Sequence, residues 1–410
     1  MASSTIRNNT PAVTRMAETL IGSEIIKLAG EVNEKIRNGE KIYNLTIGDF
    51  NPKVFPIPAG LKKAIIAAYE NDETNYPAAD GMLELRKSVS HLIKERQGLE
   101  FKPEEILIAG GARPIIYAIY RTLVDPGEKV LFPVPSWNNN HYTHLTSGDY
   151  SMQVCIETSA ENNFMPTAAE IAPHLAEVAL VSLCSPLNPT GTTFTKHDLE
   201  SICDLILAEN EQRKLAGRKP LYLLYDQIYW ALTFGDTVHY DPVSLRPAMR
   251  EYTVFVDGIS KSLAATGVRV GWAMGPKNII DKMKSLLSHV GAWAPKAEQV
   301  ATANYLSDLH DYDTFLGGIK NQISDRLEAF HKGIQDLKKE GFRIDSIAPQ
   351  AAIYLTVQLN LHGQKTAAGT VLETTQDVTR YILDEAKIAI VPFYAFGASP
   401  DSSWYRLSVG

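Results

Sequence analysis

Residues 253–271 read TVFVDGISKSLAATGVRVG and combine an apolar run with a turn that carries two basic residues. The run Thr253–Val256 is apolar and β-branched, which predicts a buried strand. A Gly/Ser turn follows and carries Lys261, and Arg269 lies eight residues beyond it. Such a lysine can reach a cleft, where desolvation lowers its pKa and makes the amine nucleophilic, and an arginine suits bidentate phosphate binding. For either residue alone, a solvated surface cation is the commoner explanation.

Further apolar runs alternate with helical patterns before this stretch. We predict strands at Ile106–Ala109, Lys129–Phe132, Ala179–Leu183, Leu221–Tyr225 and Thr253–Val256, with helices at Ile115–Val124 and Asp198–Ala208. Continuous apolar strands between amphipathic helices are typical of a mostly parallel sheet that is covered on both faces. The expected fold is therefore α/β, with a three-layer large domain built on a mostly parallel sheet.

The C-terminal part of the chain has a different pattern. Pro295–Glu340 reads as largely helical, because apolar residues recur at spacings of three and four. Strand and helix patterns then follow at Phe342–Ile347, Ile353–Leu359, Gln376–Ala386, Ile388–Val391 and Trp404–Val409. We expect a smaller α+β domain here, joined by the N-terminal segment through Asp49. The predicted division is 52–304 for the large domain, with 1–51 and 305–410 forming the small domain.

The composition of the chain limits the classes of function that are possible. The chain has 410 residues, 45% of them hydrophobic, so it can bury a core large enough for two domains. Its 40 basic and 47 acidic residues create no strong field of one sign, which argues against nucleic acid and favours a small-molecule partner. The three cysteines form no C-x-x-C pair, so neither a disulfide framework nor a metal site is indicated. Met1–Thr10 lacks the apolar core of a secretory signal, and no apolar run approaches a membrane span, so we expect a soluble cytoplasmic protein.

The predicted strands deliver polar residues at their carboxyl ends, where open α/β sheets bind ligands. Gly110-Gly111-Ala112-Arg113 precedes a helix N-terminus that offers N–H groups to a phosphate, although a plain tight turn fits equally well. Trp137 is either a stacking surface for a planar ring or a core residue. Asn188 lies in the constrained loop SPLNPTG, which is also ordinary turn chemistry. Asp226 ends a buried strand and either caps a helix or pairs with a cationic ligand nitrogen.

Taken together, these residues match the needs of one cofactor. Pyridoxal phosphate requires a lysine for its aldehyde, an acid for its ring nitrogen, donors for its ring oxygen, a stacking surface and a phosphate cradle. Each part is present at the end of a predicted strand. We therefore predict pyridoxal 5'-phosphate as the cofactor and Lys261 as its attachment point.

From about Leu45 to Arg406 the sequence resembles the class I/II aminotransferases, an aspartate-aminotransferase-like group among the fold-type I pyridoxal-phosphate enzymes. The resemblance rests on an ordered set of segments, namely Tyr76 with Gly81, Gly110-Gly111, Pro135-Ser136-Trp137, Asn188-Pro189-Thr190-Gly191, Asp226-Gln227-Ile228-Tyr229, Ser260-Lys261 and Arg269-Val270-Gly271. The ordered set is far more specific than any of its members.

This resemblance implies roles for the central residues. Lys261 would carry the cofactor as a Schiff base and then shuttle the proton that leaves the substrate Cα. Asp226 would hold the pyridinium, while Asn188 and Tyr229 would donate to the phenolic oxygen. Trp137 would stack on the ring. The predicted catalytic residues are Lys261, Asp226 and Tyr229.

The resemblance also implies a phosphate cradle and substrate contacts. The cradle would consist of Gly111, the backbone amides of Ala112 and Arg113, and the side chains of Ser260 and Arg269. Tyr76 would reach the phosphate of a neighbouring subunit, which implies a homodimer with shared active sites. Arg406 matches the arginine that clamps the substrate α-carboxylate. Gly48 matches the segment that closes over the substrate, and Asn188 is a further substrate contact.

Four positions depart from the family pattern or modify it. Gly258 stands where many relatives have a phosphate-binding serine, and Gln227 replaces the more usual glutamate beside the pyridine-binding aspartate. Ala112 occupies a position that is lysine in an aspartate-using branch, where that lysine helps to read the side-chain carboxylate. Arg113 could substitute for it, although neighbouring side chains on a helix point in different directions. Specificity for aspartate is therefore left open.

Three functions are compatible with these residues. The favoured one is transamination, in which an L-amino acid and a 2-oxo acid exchange an amino group through Lys261 in a ping-pong mechanism. A carbon–sulfur lyase or a related synthase would use the same cofactor residues. A non-catalytic regulator that binds the cofactor is disfavoured, because relatives of that kind carry a fused DNA-binding domain and no basic helix-turn-helix pattern occurs here.

Overall fold

The computed structural model describes residues 13–410. Its strands are β1 (Tyr43–Asn44), β2 (Ile106–Ala109), β3 (Lys129–Val134), β4 (Gln153–Glu157), β5 (Val178–Cys184), β6 (Tyr222–Asp226), β7 (Thr253–Gly258), β8 (Gly271–Met274), β9 (Ile344–Ser346), β10 (Tyr354–Leu359), β11 (Ile388–Ala389), β12 (Val391–Pro392) and β13 (Trp404–Ser408). Its α-helices are α1 (Arg15–Thr19), α2 (Glu24–Arg37), α3 (Ala59–Glu70), α4 (Leu83–Gln97), α5 (Ala112–Leu123), α6 (Asn139–Ser147), α7 (Ala168–Ile171), α8 (Lys196–Leu215), α9 (Pro242–Leu245), α10 (Ile259–Ser262), α11 (Lys277–Val290), α12 (Lys296–Leu306), α13 (Leu309–Lys339) and α14 (Thr375–Tyr381).

The main sheet has seven strands in the order β2-β8-β7-β6-β5-β3-β4. The strands from β7 to β4 in this order pair in parallel, whereas β8 runs antiparallel to both β2 and β7. The predicted α/β fold with a mostly parallel sheet is therefore confirmed. Strands β4 and β8 are absent from the prediction. The four residues of β8 read GWAM, a run too short to be distinguished from a loop by its pattern.

Both faces of this sheet are covered, as the alternation along β7 shows. Val254 and Val256 belong to the core cluster that includes the apolar faces of α5 and α11. Phe255 belongs to the opposite cluster, which includes the apolar faces of α4, α8 and α12. Because successive side chains of a strand point to opposite faces, burial on both faces requires a continuous apolar run. This is the physical reason why TVFV reads as a central strand.

A second sheet of four strands forms in the order β12-β13-β10-β9, with all neighbours antiparallel. Helix α13 packs its buried residues Ile319, Ile323 and Leu327 into the cluster that contains Leu355 and Val357 of β10. The short strand β1 pairs with β11, which ties the N-terminal segment to this part of the chain. The numerical limits of the two domains stay a prediction, and residues 1–12 of the small domain lie outside the described part.

Three predicted elements differ in detail from the structure. The helical pattern over Pro295–Glu340 contains both α12 and α13, because Asp308 caps α13 by accepting from the N–H groups of the first turn. The predicted strand Ile388–Val391 divides into β11 and β12, which pair with β1 and β13 respectively. The predicted helix Gln376–Ala386 comprises α14 and a π-helical turn over Ile382–Ala386. A local pattern identifies the element but not its partner or its interruption.

Two predictions concern targeting. The predicted lack of a secretory signal at Met1–Thr10 falls outside the residues that the structure describes. Within residues 13–410, none of the helices combines the length and the apolar character that crossing a membrane requires.

Candidate active site

Polar side chains gather where the parallel strands of the main sheet end. Strand register places Cys184 opposite Asp226, and Asp226 opposite Val256. Lys261 follows β7 on the short helix α10, so it emerges at the same edge as Asp226. This edge opens into a cavity of about 580 Å³. The predicted site residues that line the cavity are Gly48, Ala112, Arg113, Trp137, Asn188, Asp226, Tyr229, Ser260, Lys261, Arg269 and Arg406.

Gly111 and Tyr76 are the predicted site residues that do not line the cavity. Gly111 precedes α5 with a φ of 96°, and a Cβ added there would overlap the Arg269 guanidinium. This glycine therefore leaves the space that the guanidinium occupies. Tyr76 is 82% exposed and packs edge-on against Trp293, with ring centroids 5.3 Å apart. Its contact with a neighbouring subunit stays a prediction.

Lys261 is the amine of the cavity. Its Nζ donates a hydrogen bond of 2.6 Å to the carbonyl oxygen of Gly48. Burial lowers the pKa of Lys261 to about 8, although the Asp49 carboxylate opposes this effect. Nearby guanidinium groups, first that of Arg406, lower the pKa further. A pKa near 8 leaves a sizeable neutral fraction near neutral pH, and the neutral amine is the nucleophile.

Asp226 is the acid of the cavity. Its Oδ1 accepts a hydrogen bond of 3.0 Å from the backbone N–H of Ile228. Burial raises the pKa of the Asp226 carboxyl to about 6, while that N–H and the Lys261 ammonium oppose the increase. A carboxylate in such surroundings is stabilised by a cationic partner. The predicted pairing with a protonated ring nitrogen therefore suits this position.

Arg406 is a buried cation, only 2% exposed. Its Nη1 donates to Asn188 Oδ1 at 3.0 Å and its Nη2 donates to the carbonyl oxygen of Thr46 at 2.6 Å. Its Nε is buried and has no hydrogen-bond partner within residues 13–410. Burial lowers the pKa of this guanidinium. Because an uncompensated buried charge is costly, the arrangement favours an incoming carboxylate.

Arg269 forms a cationic corner beside the first turn of α5. Its Nη1 donates to the carbonyl oxygen of Thr266 and its Nη2 donates to that of Gly110, each at 2.7 Å. Helix α5 begins at Ala112, and the first N–H groups of a helix have no partner within it. Ser260 lines the same cavity. A guanidinium, a hydroxyl and a helix N-terminus together favour a phosphate.

Trp137 and Arg113 form a stacked pair in the cavity. The guanidinium carbon of Arg113 lies 4.8 Å from the centroid of the Trp137 ring. No acidic side chain in residues 13–410 lies within ion-pair distance of Arg113. The pair therefore presents one planar surface and one cation that has no anionic partner in the described chain.

Asn139 and Ser182 also line the cavity, and the sequence analysis does not identify them. Asn139 Oδ1 accepts hydrogen bonds of 3.0 Å from the hydroxyls of Tyr120 and Ser182, and its Nδ2 donates to Ser136 Oγ at 3.1 Å. This buried network fixes the wall next to Trp137. Two weak signals exist in the sequence: an asparagine run directly after Trp137, and a serine inside the apolar run of β5.

Tyr354 and Asp49 are two further lining residues that the sequence analysis does not identify. The hydroxyl oxygens of Tyr354 and Tyr229 are 2.6 Å apart. Asp49 Oδ1 accepts a hydrogen bond of 2.6 Å from Thr266 Oγ1, which links the N-terminal segment to the loop that carries Arg269. Tyr354 stands in the ordinary apolar run AAIYLTV, where no local feature marks it as a site residue.

Two departures from the family pattern have structural explanations. A Cβ added at Gly258 would lie 2.8 Å from both the Cα of Gly271 and the carbonyl oxygen of Val270, so a serine there would displace β8. Gln227 is fully buried, and its Nε2 donates to Gln97 Oε1 at 3.1 Å. Its side chain is therefore engaged outside the cavity, unlike that of the preceding Asp226.

The chemistry of the cavity fits pyridoxal 5'-phosphate. The corner at Arg269 suits a phosphate, the amine of Lys261 suits an aldehyde, and the carboxyl of Asp226 suits a ring nitrogen. The buried Nε of Arg406 has no partner in the described chain and suits a carboxylate beside the cofactor. Trp137 supplies the flat surface. The cofactor and a carboxylate substrate together account for these groups.

Comparison with known sequences agrees with this interpretation. A profile of the family described as aminotransferase class I and II matches residues 40–410. An aspartate aminotransferase of Rhizobium meliloti (strain 1021) is 28% identical over 394 residues, which cover 94% of this chain and 89% of that protein. A bifunctional aspartate aminotransferase and glutamate/aspartate-prephenate aminotransferase of Petunia hybrida is 28% identical over 388 residues, which cover 94% of this chain and 76% of that protein.

Comparison with solved structures gives the same family. The crystal structure of the aspartate aminotransferase from Rhizobium meliloti matches with a TM-score of 0.86 at 27% identity, and the match covers 97% of this chain and 93% of that one. The predicted resemblance, fold class and cofactor are thereby confirmed. The chain belongs to the aminotransferase class I and II family of pyridoxal-phosphate-dependent enzymes.

Proposed function

We propose that Lys261, Asp226 and Tyr229 are the catalytic residues of this aminotransferase, which exchanges an amino group between an L-amino acid and a 2-oxo acid in a ping-pong mechanism. The observation that carries the proposal is that Lys261, Asp226 and Arg406 line one cavity of about 580 Å³. When bound, pyridoxal phosphate supplies an electron sink for the negative charge that develops at the substrate Cα. Substrate binding, orientation and proton transfer are the work of the protein's own side chains and backbone.

Arg406 binds and orients the substrate. Its buried guanidinium offers donors to the α-carboxylate, and the unpartnered Nε is one of them. Asn188, whose Oδ1 accepts from Arg406 Nη1, lies beside this carboxylate site. Because the guanidinium is 2% exposed, water competes weakly for it and the ion pair gains strength. Gly48, whose carbonyl oxygen is bonded to Lys261 Nζ, places the N-terminal segment over the bound substrate.

Lys261 Nζ moves the proton. The neutral amine accepts the proton that leaves the substrate Cα, holds it as an ammonium group, and returns it in the second half of the step. A general base works best when its pKa lies near the working pH. The value of about 8 that burial produces in the cofactor-free chain brings the free amine into this range.

Further side chains hold the cofactor. Asp226 would keep a proton at the ring nitrogen, while Asn188 and Tyr229 would donate to the ring oxygen. Trp137 would stack on the ring. We assign the phosphate to Gly111, to the backbone N–H groups of Ala112 and Arg113, and to the side chains of Ser260 and Arg269. The positions of the α5 N-terminus and of the Arg269 guanidinium support this assignment.

We infer that the preferred substrates are dicarboxylic. Arg406 is assigned to the α-carboxylate, whereas Arg113 lines the cavity without an acidic partner in the described chain. Stacking on Trp137 holds the Arg113 guanidinium while leaving its N–H groups free. Relatives that are named aspartate aminotransferases support the same substrate class.

The side-chain assignment is tested with Arg113→Gln. Loss of one charge-assisted contact of roughly 1.5–3 kcal/mol should reduce the ratio of kcat/KM for L-aspartate over L-alanine by about tenfold or more. Steady-state kinetics with both amino acids measure this ratio. An unchanged ratio would show that Arg113 serves the cofactor alone.

The reaction itself is tested with ¹⁵N-labelled L-aspartate and 2-oxoglutarate. Transamination transfers the label to L-glutamate with one oxo acid formed for each label transferred. Release of labelled ammonia without labelled glutamate would instead support a lyase, and L-cysteine would then be the next substrate to test. Cofactor binding without any turnover would support the regulator hypothesis.

We also propose a cytoplasmic homodimer with shared active sites, built from a large domain of 52–304 and a small domain of 1–51 with 305–410. Exposed Tyr76, which packs on the half-buried Trp293, supports an interface, as do the exposed apolar residues Leu83 and Val290. The free cysteines of the chain agree with a reducing compartment. Light scattering measures the mass in solution, and a monomer that retains full activity would contradict the shared site.

A further inference from the structure

Tyr354 of β10 lies between two of the proposed site residues. Its hydroxyl oxygen is 2.6 Å from that of Tyr229, and both side chains are buried. The guanidinium carbon of Arg406 lies 4.6 Å from the centroid of the Tyr354 ring. Strand pairing explains this contact, because Arg406 stands opposite Thr356 and Tyr354 is therefore its diagonal neighbour on the same face. One side chain thus touches both the substrate clamp and a predicted donor to the cofactor.

The direction of the Tyr229–Tyr354 hydrogen bond decides what Tyr229 can do. Each hydroxyl has one proton to donate and can also accept. If Tyr229 donates to Tyr354, its single proton is not available to the cavity. If Tyr354 donates to Tyr229, the proton of Tyr229 is free to point into the cavity. Only the second arrangement lets Tyr229 act as a donor to a bound molecule.

Arg406 favours the second arrangement. Burial raises the pKa of both hydroxyls. The Arg406 guanidinium opposes this increase at both hydroxyls, but it is the Tyr354 ring that it contacts, with the guanidinium carbon 4.6 Å from the ring centroid. A nearby cation makes a hydroxyl more acidic and hence a better hydrogen-bond donor. Gly48 lies against the same hydroxyl, since a Cβ added there would lie 2.8 Å from the Tyr354 oxygen.

We propose that Tyr354 is a positioning residue that acts through Tyr229. Its hydroxyl donates to the Tyr229 oxygen and so directs the Tyr229 proton into the cavity, while its ring supports the Arg406 guanidinium. The inference rests on the proposed function, because the direction of the Tyr229 proton matters only when a cofactor with a ring oxygen is bound.

The test is Tyr354→Phe, which keeps the ring and removes the hydroxyl. In the cofactor-loaded protein, the visible absorbance is titrated with pH. Neighbouring hydrogen bonds strengthen one another by roughly 10–30%, so losing the Tyr354 donor should raise the apparent pKa of the absorbance change by roughly 0.1–0.6 pH units. A lower apparent pKa would mean that Tyr229 donates to Tyr354 in the wild type. Either that result or an unchanged value would overturn the proposal.

A double-mutant cycle and a matched control complete the experiment. If Tyr354 acts through Tyr229, the pair Tyr229→Phe/Tyr354→Phe should shift the apparent pKa no more than Tyr229→Phe alone, and additive shifts would refute this. Tyr405→Phe removes another buried hydroxyl, which contacts the carbonyl oxygen of Thr375 at 3.4 Å, and should cause no shift. An equal shift in this control would mark a general packing effect and overturn the assignment. A wild-type protein that shows no cofactor band would instead contradict the proposed function.

Discussion

Asp226→Asn should raise the stability of the cofactor-free protein and lower that of the cofactor-bound protein. The reason is the burial of the carboxyl, which raises its pKa from an ordinary 3.8 to about 6. Below about pH 4 the carboxyl is protonated in the folded and unfolded chains alike, so its burial does not reduce the free energy of unfolding. As the pH rises towards about 6, the unfolded chain ionises first, and the stability that the protonated group provides is lost. Asparagine cannot ionise and escapes this loss.

The magnitude follows from the two pKa values. Their difference of about 2.2 units corresponds to about 3 kcal/mol at 1.36 kcal/mol per unit. Water in the cavity screens the carboxylate, so an effect of about 1–3 kcal/mol is expected at pH 7.5. At roughly 2.1 cal/mol/K per residue, the unfolding entropy of 410 residues is about 0.9 kcal/mol/K. The variant should therefore melt about 1–3 °C higher than the wild type.

Thermal unfolding followed by circular dichroism, at pH 4 and at pH 7.5, with and without saturating pyridoxal phosphate, measures this effect. The increase in melting temperature should vanish at pH 4. Saturating cofactor should reverse the sign of the difference between variant and wild type, because the wild-type carboxylate then has a cationic partner that binds only to the folded chain. Asp241→Asn is the matched control: Asp241 is also buried but accepts from the N–H groups of Val243 and Ser244 away from the cavity. The melting-temperature difference between Asp241→Asn and the wild type should keep its sign when the cofactor is added. A lower melting temperature of cofactor-free Asp226→Asn at pH 7.5 would refute the buried-charge argument.

Three further substitutions test the assigned roles. Lys261→Ala should abolish turnover but retain measurable cofactor affinity in equilibrium dialysis, because the phosphate cradle remains; normal activity would disprove the assignment. Arg406→Ala should raise KM for every amino acid by about tenfold or more, since it removes a contact made in the ground and transition states alike, and an unchanged KM would place the clamp elsewhere. Gly111→Ala should weaken cofactor binding in a fluorescence titration, because the new Cβ would displace the Arg269 guanidinium. Gly127→Ala has a similarly positive φ but open space around it, so equal losses in both variants would implicate backbone strain instead.

The fold class and the cofactor could be predicted from short segments of sequence. The run TVFV at residues 253–256 identifies a strand buried on both faces, because period-two alternation disappears when both faces are covered. The loop around Asn188 and the turn before Lys261 identify strand ends, since their glycine, serine and proline residues leave the backbone no regular continuation. These signals lie within a few neighbouring residues.

Other elements escaped prediction because their stability comes from partners rather than from local pattern. Strand β8 has only four residues and exists because it pairs on both sides, with β2 and β7. The run Ile388–Val391 divides because its two halves meet different strands, β1 and β13. The buried side chain of Asn139 is held in place by hydrogen bonds from Ser182 and Tyr120, which are distant in sequence.

Local sequence is sufficient to identify which reactive groups this protein carries and at which strand ends they stand, because apolar runs and turn residues act over short distances along the chain. How those groups meet depends on the three-dimensional fold. Lys261 donates a hydrogen bond to Gly48, which is 213 residues away in the sequence, and Arg406 donates one to Asn188, which is 218 residues away. Tyr354 joins Tyr229 to Arg406 without any local mark in its own segment. Such contacts arise when the two sheets pack around one cavity, and packing depends on the whole chain rather than on any segment of it.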